Sequence, residues 1–189
     1  MKKVELIIMR HARASGNRMH IMSGSRRDIS LTSFGRAQAR AAAKKWKEAP
    51  DVIITSPMKR AKQTAYYFEK KFKKKAHIMD LLKEHDLGEW TGKSALKLKH
   101  EFPKYFFDYE DGGKSHFLIK VPGGESWEDI KKRSKKALRE IKKKYAGKKV
   151  LAFSHGIFTI ACVANVAGIK PPRLWNYRLK NTQWVKFVL

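Results

Sequence analysis

Val4-Glu5-Leu6-Ile7-Ile8-Met9-Arg10-His11 is the stretch on which the fold turns. From Val4 to Met9 it is apolar except at Glu5. A strand covered on only one face would alternate polar and apolar residues, so a continuous apolar run points to a strand buried on both faces, as in a parallel sheet packed between helices. The run stops on Arg10-His11. In open α/β sheets ligands bind beyond the carboxyl ends of the strands, so this stretch delivers a cation and an imidazole to a binding edge.

Two further apolar runs have the same form. Asp51-Val52-Ile53-Ile54-Thr55 precedes Ser56-Pro57-Met58-Lys59-Arg60, and Lys149-Val150-Leu151-Ala152-Phe153-Ser154 precedes His155-Gly156. Between them lie helical segments. One starts after Thr32 and repeats through Phe34, Ala37, Ala41 and Trp46. A second is expected to open at Ser56-Pro57, with the hydroxyl at the N-cap, and to run to about Phe72. Ser126-Trp127-Glu128-Asp129 has the form of a capping box and opens a lysine-rich helix to Tyr145. A short strand is expected near Ala76 to Met79 and a glycine-punctuated loop from Leu81 to Gly92. Val121-Pro122-Gly123-Gly124 reads as a turn. An apolar helix after Gly156, a Pro171-Pro172 break and an edge strand from Gln183 to Leu189 end the chain. Alternating strands and helices specify an α/β fold: a three-layer α/β/α sandwich with a mostly parallel central sheet. The 189 residues are expected to form a single domain, 1–189, with a small helical cap inserted around 94–116.

Composition narrows the class. Cys162 is the lone cysteine, so neither an internal disulfide nor a thiolate metal cluster can form, and its apolar neighbours mark it as a small buried side chain. The N-terminal segment lacks the features of a signal peptide, and the longest apolar stretch, Gly156 to Ile169, is too short to span a bilayer. A cytoplasmic setting is expected. Lys and Arg number 43 against 17 Asp and Glu, a formal charge of +26, which concentrates anions near the surface. A basic nucleic-acid-binding protein is the rival reading of that charge. The chain carries no helix-turn-helix, zinc knuckle or other nucleic-acid motif, so nucleic acid is not the expected partner.

Arg10, His11, Arg60 and His155 thus converge on one edge of the sheet. Guanidinium forks match the oxygens of a phosphoryl dianion, and an imidazole can attack or donate. At this point the chain resembles the histidine phosphatase superfamily, also called phosphoglycerate-mutase-like. The matching segments are Leu6-Ile7-Ile8-Met9-Arg10-His11 with Asn17, Leu31-Thr32-Ser33-Phe34-Gly35-Arg36-Ala37-Gln38-Ala39, and Ser56-Pro57-Met58-Lys59-Arg60-Ala61-Lys62-Gln63-Thr64-Ala65. Glu84-His85-Asp86-Leu87-Gly88-Glu89-Trp90-Thr91-Gly92, Pro122-Gly123-Gly124-Glu125-Ser126 and Ser154-His155-Gly156 complete the set, in family order.

The resemblance implies a phosphoglycerate-mutase-like fold and a phosphomonoesterase working through a phosphohistidine. His11 is then the nucleophile, Glu84 the acid that protonates the leaving oxygen and later the base that activates water, and His155 a third catalytic group. Arg10, Asn17, Arg60, His155 and Gly156 bind the substrate phosphate. Acting as an acid requires a protonated carboxyl, which burial or a negative neighbour such as Asp86 would favour. No metal and no other cofactor is implied. The partner is a phosphorylated small molecule or a phosphoprotein, and inorganic phosphate is the product. The segment from Glu84 to Gly92 and the short chain resemble phosphatases of the family more than its phosphoglycerate mutases. Two positions depart from the pattern. Ala12 replaces the usual glycine, and Ala14 stands where a hydroxyl is common, with Ser15 and Ser23 the nearby hydroxyls that would replace it. Arg13 adds a further charge near the site.

Overall fold

The computed structural model describes residues 2–18, 21–102, 120–170 and 173–189. Five strands, β1 (Glu5–Arg10), β2 (Val52–Thr55), β3 (His77–Ile78), β4 (Lys149–Ser154) and β5 (Trp184–Val188), form one sheet in the order β3-β2-β4-β1-β5. All neighbouring pairs are parallel except β1 with β5, where the chain returns antiparallel along one edge. The sheet is therefore mostly parallel, as the apolar runs require.

Side chains alternate across it into two separate cores. Leu6 and Ile8 of β1, with Val150 and Ala152 of β4, face helices α5 (Trp127–Lys144) and α6 (Gly156–Ala167). Ile7 and Met9, with Leu151 and Phe153, face α2 (Ser33–Lys45) and α3 (Lys59–Phe72). Helices thus cover both faces, which is the three-layer sandwich. The capping box of α5 is present: Ser126 Oγ accepts from the Asp129 N–H, and the Asp129 carboxylate accepts from the Ser126 N–H. Such a cap is worth about 1 kcal/mol.

Two local expectations need correction. The buried face of α2 is Gly35, Ala39 and Ala43, whereas Phe34 is exposed under the Arg13 guanidinium. Close approach decides this, because a Cβ on Gly35 would lie 2.0 Å from the Arg13 carbonyl oxygen. Helix α3 begins at Lys59 and not at Ser56-Pro57, and the residue at its N-cap, Met58, makes no side-chain cap bond. Asp28 reaches in from another loop to accept the Lys59 N–H at 2.6 Å, while Ser56 Oγ lies 2.8 Å from His155 Nε2 and takes only a long bond, 3.4 Å, from the Met58 N–H. Two lysines at and just beyond the end of this helix are tied back to backbone carbonyls. Lys71 Nζ donates to the carbonyls of Ala43, Lys44 and Trp46, and Lys74 Nζ to those of Pro50 and Asp51.

Of the cap around 94–116, Ala95–Glu101 forms helix α4, with Ser94 as its N-cap; residues 103–119 lie outside the described residues, as does the Pro171-Pro172 break. No helix among the described residues is long and apolar enough to cross a membrane.

Candidate active site

β1 and β4 pair in register up to Arg10 and Ser154, so the next residues, His11 and His155, emerge side by side. The His11 N–H donates to the Ser154 carbonyl at 3.0 Å. Their rings lie 5.2 Å apart. A cleft of about 150 Å³ opens there, lined by Arg10, His11, Arg60, Glu84 and Gly156 of the residues singled out from the sequence. His155 sits behind it. It is fully buried against the His11 ring and is not part of the cleft wall. Asn17 falls on α1 (Ser15–Arg18), and its side chain lies outside the described residues.

The tautomers follow from the partners. His11 Nδ1 is 2.7 Å from the Ala12 carbonyl oxygen, which can only accept, so Nδ1 carries the proton and Nε2 keeps its lone pair. His155 Nε2 is 2.8 Å from Ser56 Oγ, and its Nδ1 has no hydrogen-bond partner among the described residues. Burial, then the charge of Arg60, holds both imidazoles well below the ordinary value of 6.5. Arg10 adds to this at His11, and His11 and Arg10 add to it at His155. Both rings are neutral at neutral pH.

Arg10 Nη1 donates to the Leu179 carbonyl at 2.6 Å, while its buried Nε has no partner among the described residues. Burial, with Arg178 nearby, pulls the Arg10 guanidinium down to about 10; the Glu84 carboxylate acts the other way. The Arg60 fork is held by the carbonyls of Gly24 at 2.8 Å and Arg27 at 3.1 Å. Gly24 has φ +51°, and a Cβ there would meet the His85 carbonyl oxygen at 2.9 Å, so the clamp needs glycine. Two guanidiniums held by backbone carbonyls in the wall of a small cleft match a compact dianion.

Glu84 is seated at the start of α6. Its carboxylate accepts N–H bonds from His85 at 2.9 Å, Phe158 at 3.2 Å and Ile157 at 3.4 Å. Asp86, expected to lend Glu84 a negative neighbour, is instead countered by Arg26 at 2.7 Å and accepts the Gly88 N–H. Gly156 is the first residue of α6 and packs on the Arg10 guanidinium. Of the two hydroxyls near the Ala14 departure, Ser23 lines the cleft and Ser15 is exposed away from it. Ala12 and Ala14 are themselves fully buried. Arg13 is not in the cleft wall. Among the described residues, no group of three or more His, Cys, Asp or Glu side chains is placed to hold a metal ion.

A profile of the histidine phosphatase superfamily (branch 1) matches residues 6–189. The chain belongs to that superfamily. It is 30% identical over 177 residues, 93% of this chain and 85% of the other, to a Hydrogenobacter thermophilus protein provisionally named phosphoserine phosphatase 2. It is 27% identical, over 94% of this chain and 81% of the other, to a probable phosphoglycerate mutase of Photorhabdus laumondii. The solved structure of Entamoeba histolytica phosphoserine phosphatase, with bound 3-phosphoglyceric acid, superposes with a TM-score of 0.82 at 27% identity, covering 97% of this chain and 90% of that one. The superfamily member described here is thus a phosphoglycerate-mutase-like phosphohydrolase, and phosphomonoesterase activity is what family and relatives support.

The cleft of this superfamily member also takes in Ile21, Met22, Gly24, Ile157 and Arg178, none of which the sequence marked. Ile21, Met22, Gly24 and Arg178 lie outside any helix or strand, and Ile157 is one apolar residue among many in α6. Arg178, in the polar stretch before β5, offered no signal beyond its charge.

The neutral histidines give a pH prediction. If neutral His11 is the attacking group, kcat/KM for an aryl phosphate at about pH 5.5 should stay within twofold of its value at pH 7. An acid limb with a midpoint near 6.5 would show His11 titrating as a solvated imidazole. Stability, unlike activity, falls as pH drops in this range: the unfolded histidines take up protons below 6.5 that the folded ones refuse. Their contribution is therefore full above 6.5 and is lost as pH falls through the depressed folded values.

Proposed function

We propose that the protein is a phosphomonoesterase in which His11 Nε2 attacks phosphorus, the bond from phosphorus to the leaving oxygen breaks, and Glu84 gives that oxygen its proton. Water then attacks the phosphorus of phosphohistidine while Glu84, now a carboxylate, takes the proton. Inorganic phosphate leaves and the electron pair of the P–N bond returns to Nε2. The observation that carries the reading is the Nδ1–H of His11 committed to the Ala12 carbonyl, which leaves the other ring nitrogen as the nucleophile. Arg10 and Arg60, both in the cleft wall, balance the charge on the transferring group, and His155 backs the His11 ring from behind. Asn17 and Gly156 complete the phosphate site in this reading. Residues 1–189 act as one domain, in the cytoplasm.

The relatives named for phosphoserine make phosphorylated carboxylates the first substrates to try, and Arg178 at the mouth places a cation for a second anionic group. The test is a panel of phosphate esters, assayed by phosphate release before and after dialysis against EDTA. Turnover should be unchanged by the chelator, and vanadate should inhibit as a five-coordinate mimic. Activity abolished by EDTA and restored by magnesium or manganese would overturn the mechanism. The mutase-named relative favours a second reading, phosphoglycerate mutase. Incubation with 3-phosphoglycerate separates the two, since a mutase yields the 2-isomer and a phosphatase yields free phosphate.

A further inference from the structure

Outside the cleft wall, Arg133 of α5 and Glu125 form a bidentate pair. Nε donates to Glu125 Oε1 at 2.7 Å and Nη2 to Oε2 at 2.8 Å. Both side chains are largely buried, 17% and 22% exposed. The rest of the guanidinium is given to one loop. Nη1 donates to the carbonyls of Leu81 and Lys83, each at 2.8 Å, and Nη2 to that of Glu84 at 3.2 Å. Glu125 grips the other side of the same loop. Oε2 accepts the Asp86 N–H at 2.9 Å, the Glu125 N–H donates to the Asp86 carbonyl at 2.9 Å, and the Glu125 carbonyl lies 2.8 Å from His85 Nε2. The backbone on either side of Glu84 is therefore tied to one ion pair.

The pair also reaches the far end of the Glu84 side chain. The Arg133 guanidinium lies over the Phe158 ring, 5.4 Å from its centroid, and the Phe158 N–H is one of the donors that hold the Glu84 carboxylate. Neither Arg133 nor Glu125 lines the cleft. An ion pair largely withdrawn from water carries a desolvation cost that offsets its Coulomb attraction, so a positioning role accounts for it better than a stabilising one.

We infer that Glu125 and Arg133 are positioning residues that hold Glu84 at the distance and angle proton transfer to the leaving oxygen requires. The inference rests on Glu84 being the acid. A group displaced by about 1 Å loses on the order of 100-fold in the step it serves, whereas a step that does not use it is spared.

The experiment compares kcat/KM, which runs only as far as departure of the leaving group, on an alkyl phosphate and on p-nitrophenyl phosphate. Arg133→Lys and Arg133→Met are measured alone and combined with Glu84→Gln, with Tm recorded for each; Glu125→Gln serves if the arginine variants do not fold. Arg133→Met should cost about 10- to 100-fold on the alkyl ester and under about threefold on the nitrophenyl ester. Arg133→Lys, which keeps a charge but loses the fork, should fall between. In the Glu84→Gln background the Arg133 change should have almost no further effect on the alkyl ester. Equal losses on both esters, or a full additional loss on top of Glu84→Gln, would overturn the inference and leave the pair as scaffolding. A Glu84→Gln enzyme without leaving-group selectivity would instead remove the acid from Glu84, and the inference with it.

Discussion

Replacing His11 with alanine is expected to lower kcat by about 10⁴-fold or more on every phosphate ester that the wild type hydrolyses. The reason is local. His155, the other imidazole at the strand ends, is fully buried behind His11 and does not reach the cleft wall. Its Nε2 is held by Ser56. His85 also lines the cleft, but it is fully buried with Nε2 committed to the Glu125 carbonyl, so neither imidazole is set to take over. The fold should survive, because the strand pairing that carries His11 is made by backbone groups from Glu5 to Arg10. A second readout makes the loss specific. Wild-type protein quenched during turnover of ³²P-labelled substrate should carry label that is lost in acid and kept in base, as a phosphoramidate is, and the alanine variant should carry none. Turnover near the wild-type level in His11→Ala would end the phosphohistidine mechanism.

The second large effect is at Glu84. Glu84→Gln should reduce kcat/KM on an alkyl phosphate by about 10²- to 10³-fold, and on p-nitrophenyl phosphate by less than tenfold. An alkoxide needs a proton as it leaves, whereas nitrophenolate does not. The amide keeps the shape of the carboxyl group but turns one N–H toward the donors at the start of α6, so Tm should be measured alongside. Single-turnover kinetics will separate this step from hydrolysis of the phosphoenzyme, which Glu84 also serves. Equal losses on both substrates would move the acid elsewhere. The structure then favours His85, which lines the cleft, over Asp86, which is held by Arg26.

Much of this protein is legible in its local sequence. The run from Val4 to Met9 dictates a strand buried on both faces, because water is excluded from every side chain between two helical layers. The same argument holds for β2 and β4. Arg10, His11, Arg60 and Gly156 share one cleft because each lies at, or a few residues past, a strand end on the same sheet edge. Thr32 and Ser126 announce their helices through capping chemistry that needs only three residues of sequence.

What the tertiary structure alone decided lies between segments far apart in the chain. Ser56 has the credentials of an N-cap, yet its hydroxyl serves His155, 99 residues away. The Glu84 carboxylate is oriented by the N–H groups of Ile157 and Phe158, more than 70 residues on. Arg133 looks like one more cation on a lysine-rich helix until its fork is found around the loop from Leu81 to Glu84. Periodicity and capping report the free energy of a segment with its own neighbours. A side chain with several equally good local uses is assigned to one of them only when the packed sheet brings the competing partner within hydrogen-bond distance.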